Sequence, residues 1–231
     1  MAKRKSEEDH LAKAKRAIIT AALPHVQFDG WSETTLKAAI VDSGVDAGLA
    51  KLAFPRGAVD LALGYHFQGD ADMRAAMAAL DLDAMRYSAR VARAISIRLD
   101  LADKEAVRRA MAFFALPIHA ADGARALWHT ADAIWESLGD TSRDYNWYTK
   151  RMTLSAVYSA CVLFWLGDKS EEGAETEAFI NRRIADVMRF EKTKAKFRES
   201  PFGQSLSRNL GGFLDGIKAP IAPDDLPGKV R

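Results

Sequence analysis

Chemistry needs titratable or nucleophilic side chains brought together, and this sequence scatters them. Its five histidines are His10, His25, His66, His119 and His129. Glu7 and His10 form a Glu-x-x-His, a spacing that puts two metal ligands on one helix face. It stands alone in a charged terminus, whereas a di-iron bundle needs two such motifs and two further carboxylates. His119 and His129 have no third ligand at suitable spacing. A Gly-x-Ser-x-Gly elbow, a P-loop and a dinucleotide fingerprint are all absent. The single cysteine, Cys161, sits in an apolar run over 157–166 and reads as a buried packing residue. Being alone, it also excludes an internal disulfide and a cysteine-cluster zinc site. The expectation is no catalytic residue, no metal and no cofactor, and a protein that is not an enzyme.

Residues suited to binding are more concentrated. Between 111 and 165 stand Met111, Phe113, Phe114, Leu116, Trp128, Ile134, Trp135, Met152, Tyr158, Phe164 and Trp165. A pocket for a long apolar tail needs such a lining with few polar groups, although the same side chains would serve to fill a core. Trp147 and Tyr148 are adjacent, so on a helix they point about 100° apart and do not share one core seam. Beside Asp144, Lys150 and Arg151, at least one of them must lie near the surface, where an exposed aromatic makes a protein-binding hot spot.

Towards the end, Phe202, Leu206, Leu210, Phe213, Leu214, Ile217 and Ile221 recur at helical spacing, with Gln204, Arg208, Asp215 and Lys218 largely opposite. Pro201 suits a helix start. Gly203, Gly211, Gly212 and Gly216 each cost about 1 kcal/mol relative to alanine, so this helix needs a partner for its apolar face. Lys192, Lys194, Lys196 and Arg198 lie just upstream. A basic flank on an amphipathic helix is the pattern of an anionic membrane surface binder. Docking onto the protein's own dimer is the alternative.

The elements that must position these residues are helical. The 231 residues are 48% hydrophobic and 28% charged, enough to bury a sizeable core. Net charge is only +2, too balanced to mark a nucleic-acid binder, yet residues 189–231 carry +4 from nine basic and five acidic side chains. No run approaches the length of a membrane span, and the first residues have charge without an apolar stretch, unlike a signal or transit peptide. Periodicity predicts a helix from about Glu8 to Leu23, stopped by Pro24 and a turn at 28–31. Ser32 caps a short helix to Asp42, Asp46 caps another over 47–53, and Pro55 opens a longer one past Tyr65 and Phe67. Residues 71–101 hold one or two more, and Asp103, Pro117, Gly139 and Gly167 divide the rest. The fold class is all-α, with about nine or ten helices.

Helix, short helix, Gly-containing turn and short helix is a helix-turn-helix layout. The stretch 43–55, with Gly44, Val45, Gly48 and Phe54 in place, resembles the TetR family, whose members join such a module to a helical ligand-binding body. At the family's DNA-contacting positions this chain has Leu49, Lys51 and Ala53, and residues 32–54 sum to −1. Phosphate contact needs cations and base readout needs polar side chains. The helix over 47–53 is therefore expected to be packed rather than to read DNA.

Ala21-Ala22-Leu23-Pro24-His25-Val26, the run Asp144-Tyr145-Asn146-Trp147-Tyr148-Thr149-Lys150-Arg151 and Phe179-Ile180-Asn181-Arg182-Arg183-Ile184 narrow this further. They are similar to the ubiquinone-biosynthesis accessory proteins of the Coq group, ninth member. That resemblance implies a TetR-like bundle that is not a repressor, a homodimer, and a body that holds an isoprenoid lipid or ubiquinone precursor. It implies presentation of that lipid to the di-iron demethoxyubiquinone hydroxylase. Lipid contacts are then expected among Met111, Phe114, Leu116, Ile134, Trp135, Met152 and Tyr158. Hydroxylase contacts are expected at Trp147, Tyr148 and Arg151, and membrane contacts at Phe202, Leu206, Leu210, Phe213, Leu214 and Ile217. Residues 1–7 are expected to be a disordered start, 8–68 the helix-turn-helix part, 69–198 the body, 199–219 the membrane helix and 220–231 a flexible tail. The expected location is the inner face of a bacterial cytoplasmic membrane. The alternative reading is a TetR-type regulator with a hydrophobic effector.

Overall fold

The computed structural model describes the backbone of residues 2–199 and 218–219, and the side chains of 7–193 and 218–219. Nine α-helices and one short 3₁₀ turn, Glu171–Gly173, form among the described residues. In chain order they are α1 Ala2–Asp29, α2 Glu33–Ser43, α3 Ala47–Ala53, α4 Ala58–Ala78, α5 Tyr87–Asp100, α6 Lys104–Phe114, α7 Ala120–Ser137, α8 Tyr145–Gly167 and α9 Ala174–Glu199. The stripe at Phe202, Leu206, Leu210, Phe213, Leu214 and Ile217 lies outside the described residues. Lys218 and Ala219, which close the span expected to be helical, are not in a helix.

α1 is longer than its periodicity predicts at both ends, beginning inside the stretch expected to be disordered. Pro24 removes one backbone bond from the helix interior, yet Ala14, Ile18, Ala22 and Val26 form an unbroken buried line through it. Burial on both sides of the proline carries the helix on to Asp29. Gly30, at φ +63, then ends it, its N–H bonded to the carbonyl of Val26.

The two short helices follow their caps. Ser32 Oγ accepts the Thr35 N–H at 3.1 Å, and the carboxylate of Asp46 accepts those of Gly48 and Leu49 at 2.9 and 3.0 Å. Ala50 and Ala53 of α3 are buried, while Leu52 is 72% exposed beside Lys51. The expectation that α3 is packed therefore holds for one face only. Pro55 lies in the turn before α4 rather than in its first turn. That N-terminus is capped at long range: Gly57 has no side chain to offer, and Glu33 reaches over from α2 to accept the Ala58 N–H at 2.7 Å.

The first three helices and the body are one packed unit. Trp31 Nε1 donates to the carbonyl of Ala106 in α6 at 3.0 Å, and the Tyr65 hydroxyl accepts the Asp103 N–H at 2.9 Å. The border expected at 68 falls inside α4, whose first half packs on α1 and whose second half supplies Met73 and Met77 to the body core. Around those methionines, Ile95, Ile134, Leu154, Cys161 and Ile180 bring α5, α7, α8 and α9 together. Cys161 is buried, and burial pushes its thiol up to about 11, which favours the protonated form of a side chain packed in the core.

Gly57 is the position where this architecture is least forgiving. Its φ is +64, and a Cβ there would lie 2.0 Å from Glu33 Oε1. Gly57→Ala is expected to destabilise the chain by about 1–3 kcal/mol, read as a lowered urea midpoint at unchanged m-value.

Candidate ligand cavity and aromatic patch

Charged residues standing in an apolar helical register mark the centre of the body. On α4, Asp70, Met73 and Met77 fall on one face; on α5, Val91, Ile95 and Arg98 do the same. Asp70 and Arg98 are both buried, and they meet: Arg98 Nε donates to Asp70 Oδ1 at 2.8 Å. From α7, the Thr130 hydroxyl donates to the same oxygen at 2.9 Å and His129 Nδ1 to Oδ2 at 2.7 Å. One carboxylate thus holds donors from two other helices. Burial opposes its ionisation, but His129, His66 and Arg98 outweigh that and hold the pKa below the usual range. Arg98 Nη2 also donates to the carbonyl of His66.

His66 joins this group with a fixed tautomer. Its Nε2 lies 3.0 Å from the carbonyl of Ala126 and 2.7 Å from Thr130 Oγ1. A carbonyl only accepts, so the neutral ring carries its proton on Nε2 and leaves Nδ1 as an acceptor. Burial lowers its pKa to about 4, against the opposing pull of Asp70 and with a further push from Arg98.

Beside these groups α4, α6, α7 and α8 enclose a cavity of about 440 Å³. Tyr65, His66, Arg98 and Tyr158 form its polar lining, and Val107, Met111, Phe114, Leu127 and Val162 its apolar walls. Exposed Ala115, Ala120, Ala124 and Leu163 also line it, which places its mouth at the turn between α6 and α7. Gly123 permits the close approach there, since a Cβ would stand 2.8 Å from that of Phe114.

Of the seven expected lipid contacts, Met111, Phe114 and Tyr158 line this cavity. Trp135 lines a second one of about 400 Å³ with Tyr87, Leu154, Val157 and Met188, between α5, α7, α8 and α9. Ile134 is wholly buried and lines neither. Leu116 lies exposed in the turn after α6, and Met152 is 60% exposed because its place on α8 is a turn's fraction away from the buried Arg151 and Leu154. Asp70, Arg98 and His66 were not among the expected site residues. The signal was present as two opposite charges, each in the core register of its own helix.

The aromatic patch has a different internal structure from the one expected. Trp147 and Tyr148 are both half-buried at the start of α8 and cluster with Trp128 of α7, with ring centroids 4.8–6.3 Å apart. Arg151, expected at the surface, is buried instead. Its guanidinium sits 4.0 Å from the Trp147 ring centroid, and its nitrogens bond Asp132 at 2.5 Å, Asp140 at 3.4 Å and the Trp147 carbonyl at 3.2 Å. One helical turn separates Arg151 from Trp147, and Asp132 of α7 with Asp140 of the following loop draws it inward. The Tyr148 hydroxyl donates to the Lys218 carbonyl, while the Ala219 N–H donates to Arg143.

Among the described residues, no three His, Cys, Asp or Glu converge as a metal-holding group, and no helix is long and apolar enough to cross a membrane.

Comparison with known proteins bears on these features. The COQ9 family model matches residues 120–191, which carry α7, α8 and most of α9. The chain is 32% identical over 187 residues to the ubiquinone biosynthesis protein coq9, mitochondrial, of Schizosaccharomyces pombe, covering 77% of this chain and 71% of that one. It is 25% identical over 228 residues to the human ubiquinone biosynthesis protein COQ9, mitochondrial, covering 92% and 69%. In fold it is similar to a TetR transcriptional regulator from Nitrosomonas europaea ATCC 19718, with a TM-score of 0.59 at 19% identity over 74% of this chain and 95% of that chain.

The His66 shift has a measurable consequence. Between pH 6.5 and about 4 the unfolded chain binds a proton that the folded ring refuses. Stability from the neutral ring is therefore complete above pH 6.5 and falls away as pH drops towards 4, by about 2–3 kcal/mol. Urea unfolding from pH 7 to 4 is expected to show this slope, and His66→Gln to flatten it.

Proposed function

The chain belongs to the COQ9 family of ubiquinone biosynthesis proteins, and on that premise we propose that it is a non-catalytic lipid-binding accessory protein. It takes up an isoprenoid quinone intermediate at the membrane and presents it to the di-iron demethoxyubiquinone hydroxylase. The observation that carries the reading is the cavity of about 440 Å³ with apolar walls and a mouth at the α6–α7 turn. A pocket of this size and lining takes a drug-sized apolar ligand, so a ring with its first isoprene units fits and a longer tail continues outside.

The other parts of the reading rest on separate features. Trp147, Tyr148 and Trp128 give the hydroxylase a partly exposed aromatic surface, stiffened from beneath by Arg151. The amphipathic pattern over 202–221, with its basic flank, supplies the membrane contact. A homodimer fits the exposed Leu163 of α8 and Met188 and Phe190 of α9. The chain works as a peripheral protein on the cytoplasmic face of a bacterial membrane. DNA is not its partner: α3 exposes Ala47, Gly48, Lys51 and Leu52, and beyond the single Lys51 no side chain suited to reading base edges.

Mass spectrometry of organic extracts from the purified protein, beside a blank and an unrelated protein of similar size, tests the central claim. A near-stoichiometric isoprenoid or quinone is the expected result, and extracts matching the control would overturn it. Trp147→Ala is expected to weaken hydroxylase binding by roughly 30-fold or more, measured by calorimetry with the hydroxylase of the same organism. Deleting residues 201–231 is expected to abolish liposome flotation while leaving the extracted lipid unchanged.

A further inference from the structure

The polar end of the cavity is underused by the protein itself. Arg98 is 2% exposed and Tyr158 is 3% exposed, and both line the cavity. The guanidinium donates through Nε and Nη2, to Asp70 and the His66 carbonyl; Nη1 has no acceptor among the described residues. The Tyr158 hydroxyl has no hydrogen-bond partner there either, although it lies close enough to Arg98 to feel its charge. A donor beside an apolar cavity gains a hydrogen bond when an acceptor oxygen enters it. Two residues carrying such donors on the wall of one cavity form a receptor for oxygen.

We propose that this cavity binds its ligand ring-end first, with a neutral carbonyl oxygen of a quinone-type ring held by Arg98 Nη1 and the Tyr158 hydroxyl and the tail leaving past Phe114 and Leu163. The inference rests on the lipid-binding reading above and adds to it the chemical class of the head and its direction of entry. A neutral oxygen is favoured over a carboxylate or phosphate because Asp70 already compensates the Arg98 charge at 2.8 Å. An added anion would sit beside that buried carboxylate with one guanidinium nitrogen to meet it. The geometry that keeps Arg98 in place is specific: Gly69 leaves room for the guanidinium, since a Cβ there would stand 2.6 Å from Arg98 Cζ. The walls beyond this polar end are apolar, so an oxygen entering last, at the mouth, would find water rather than these donors.

Two probes separate head recognition from tail burial: a decyl-substituted dimethoxymethylbenzoquinone, and decylbenzene, which keeps the tail and a ring but has no oxygen. With the full chain in detergent, the quinone is expected to bind more tightly than decylbenzene, and its carbonyl infrared band to move to lower frequency on binding. Tyr158→Phe keeps the ring and removes the hydroxyl. It is expected to weaken the quinone by about 2- to 12-fold, to return part of the band shift, and to leave decylbenzene unchanged. If both probes bind the wild-type chain equally with an unshifted carbonyl band, ring-first binding is overturned while lipid binding stands. If Tyr158→Phe weakens both probes alike, the hydroxyl acts on packing and the proposal fails in the same way. If neither probe binds the wild-type chain, the lipid-binding reading falls and takes this inference with it.

Discussion

A single buried carboxylate fixes how the body is assembled. Asp70 is removed from water at the centre of α4, and an unpaired charge there would be prohibitive. It is tolerable because Arg98, Thr130 and His129 all point at it, and they come from α5 and α7. The requirement is directional where hydrophobic packing is not. Sliding α5 or α7 by one residue along α4 would empty the node, whereas the methionines and isoleucines around it tolerate small shifts. Gly69 belongs to the same constraint, because the guanidinium lies where any side chain on that residue would be. What is fixed here is registry among three helices rather than gross stability, since a buried pair gains little over a well-packed apolar substitute.

The cavity follows from that registry. With α4, α5 and α7 tied through polar atoms, the space between α4, α6, α7 and α8 does not need to close for the helices to hold their positions. Its small wall residues, Ala110, Ala115, Ala120, Gly123 and Ala124, leave volume that larger side chains would have filled. A second polar node does comparable work at the other end of α7. Asp140 accepts from Lys150 at 2.7 Å and from Arg151, and Arg151 in turn lies under the Trp147 ring. Lys150 also sits 5.5 Å from the Trp135 ring centroid, so the same polar node touches both the aromatic patch and the second cavity. The patch is thereby preorganised, which reduces the ordering cost a partner would otherwise meet.

Much of this was legible in the residues, for reasons that differ by element. α2 and α3 were readable to within a residue because Ser32, Gly44 and Asp46 are local signals whose effect does not depend on the rest of the chain. Pro24 misled because it too is a local signal, and here a long-range one won: the buried line from Ala14 to Val26 runs through it. The Glu33 cap on α4 is invisible locally, since 25 residues separate donor and acceptor. The concentration of apolar side chains pointed to a segment that contributes to the cavity wall, but it did not say which faces do so. Met111, Phe114 and Tyr158 line the cavity while Leu116 and Met152 do not: helix phase turns Met152 away, and Leu116 lies past the end of α6. Arg151 was assigned by neighbourhood to the surface. The acids that draw it inward, Asp132 and Asp140, belong to the preceding helix and its loop.

The helix-turn-helix part has a structural role in this arrangement. In this chain α1 to α3 do not form a separable head, because α4 runs from their core into the body and Trp31 donates to the α6 backbone. Tyr65 stacks near Trp31 at 5.2 Å, bonds the start of α6 through its hydroxyl, and also lines the cavity. Arg109 of α6 reaches back to the carbonyl of Gln27 at 2.9 Å. The module therefore buttresses α6, the helix that supplies Met111 and Phe114 to the wall and leads into the mouth. The buried faces of α1 to α3 form that buttress, and the outer face of α3 takes no part in it. That is the pattern seen here, with Ala50, Ala53 and Phe54 buried beneath an exposed Leu52. In a fold similar to that of a TetR regulator, the first three helices thus support the wall of the cavity.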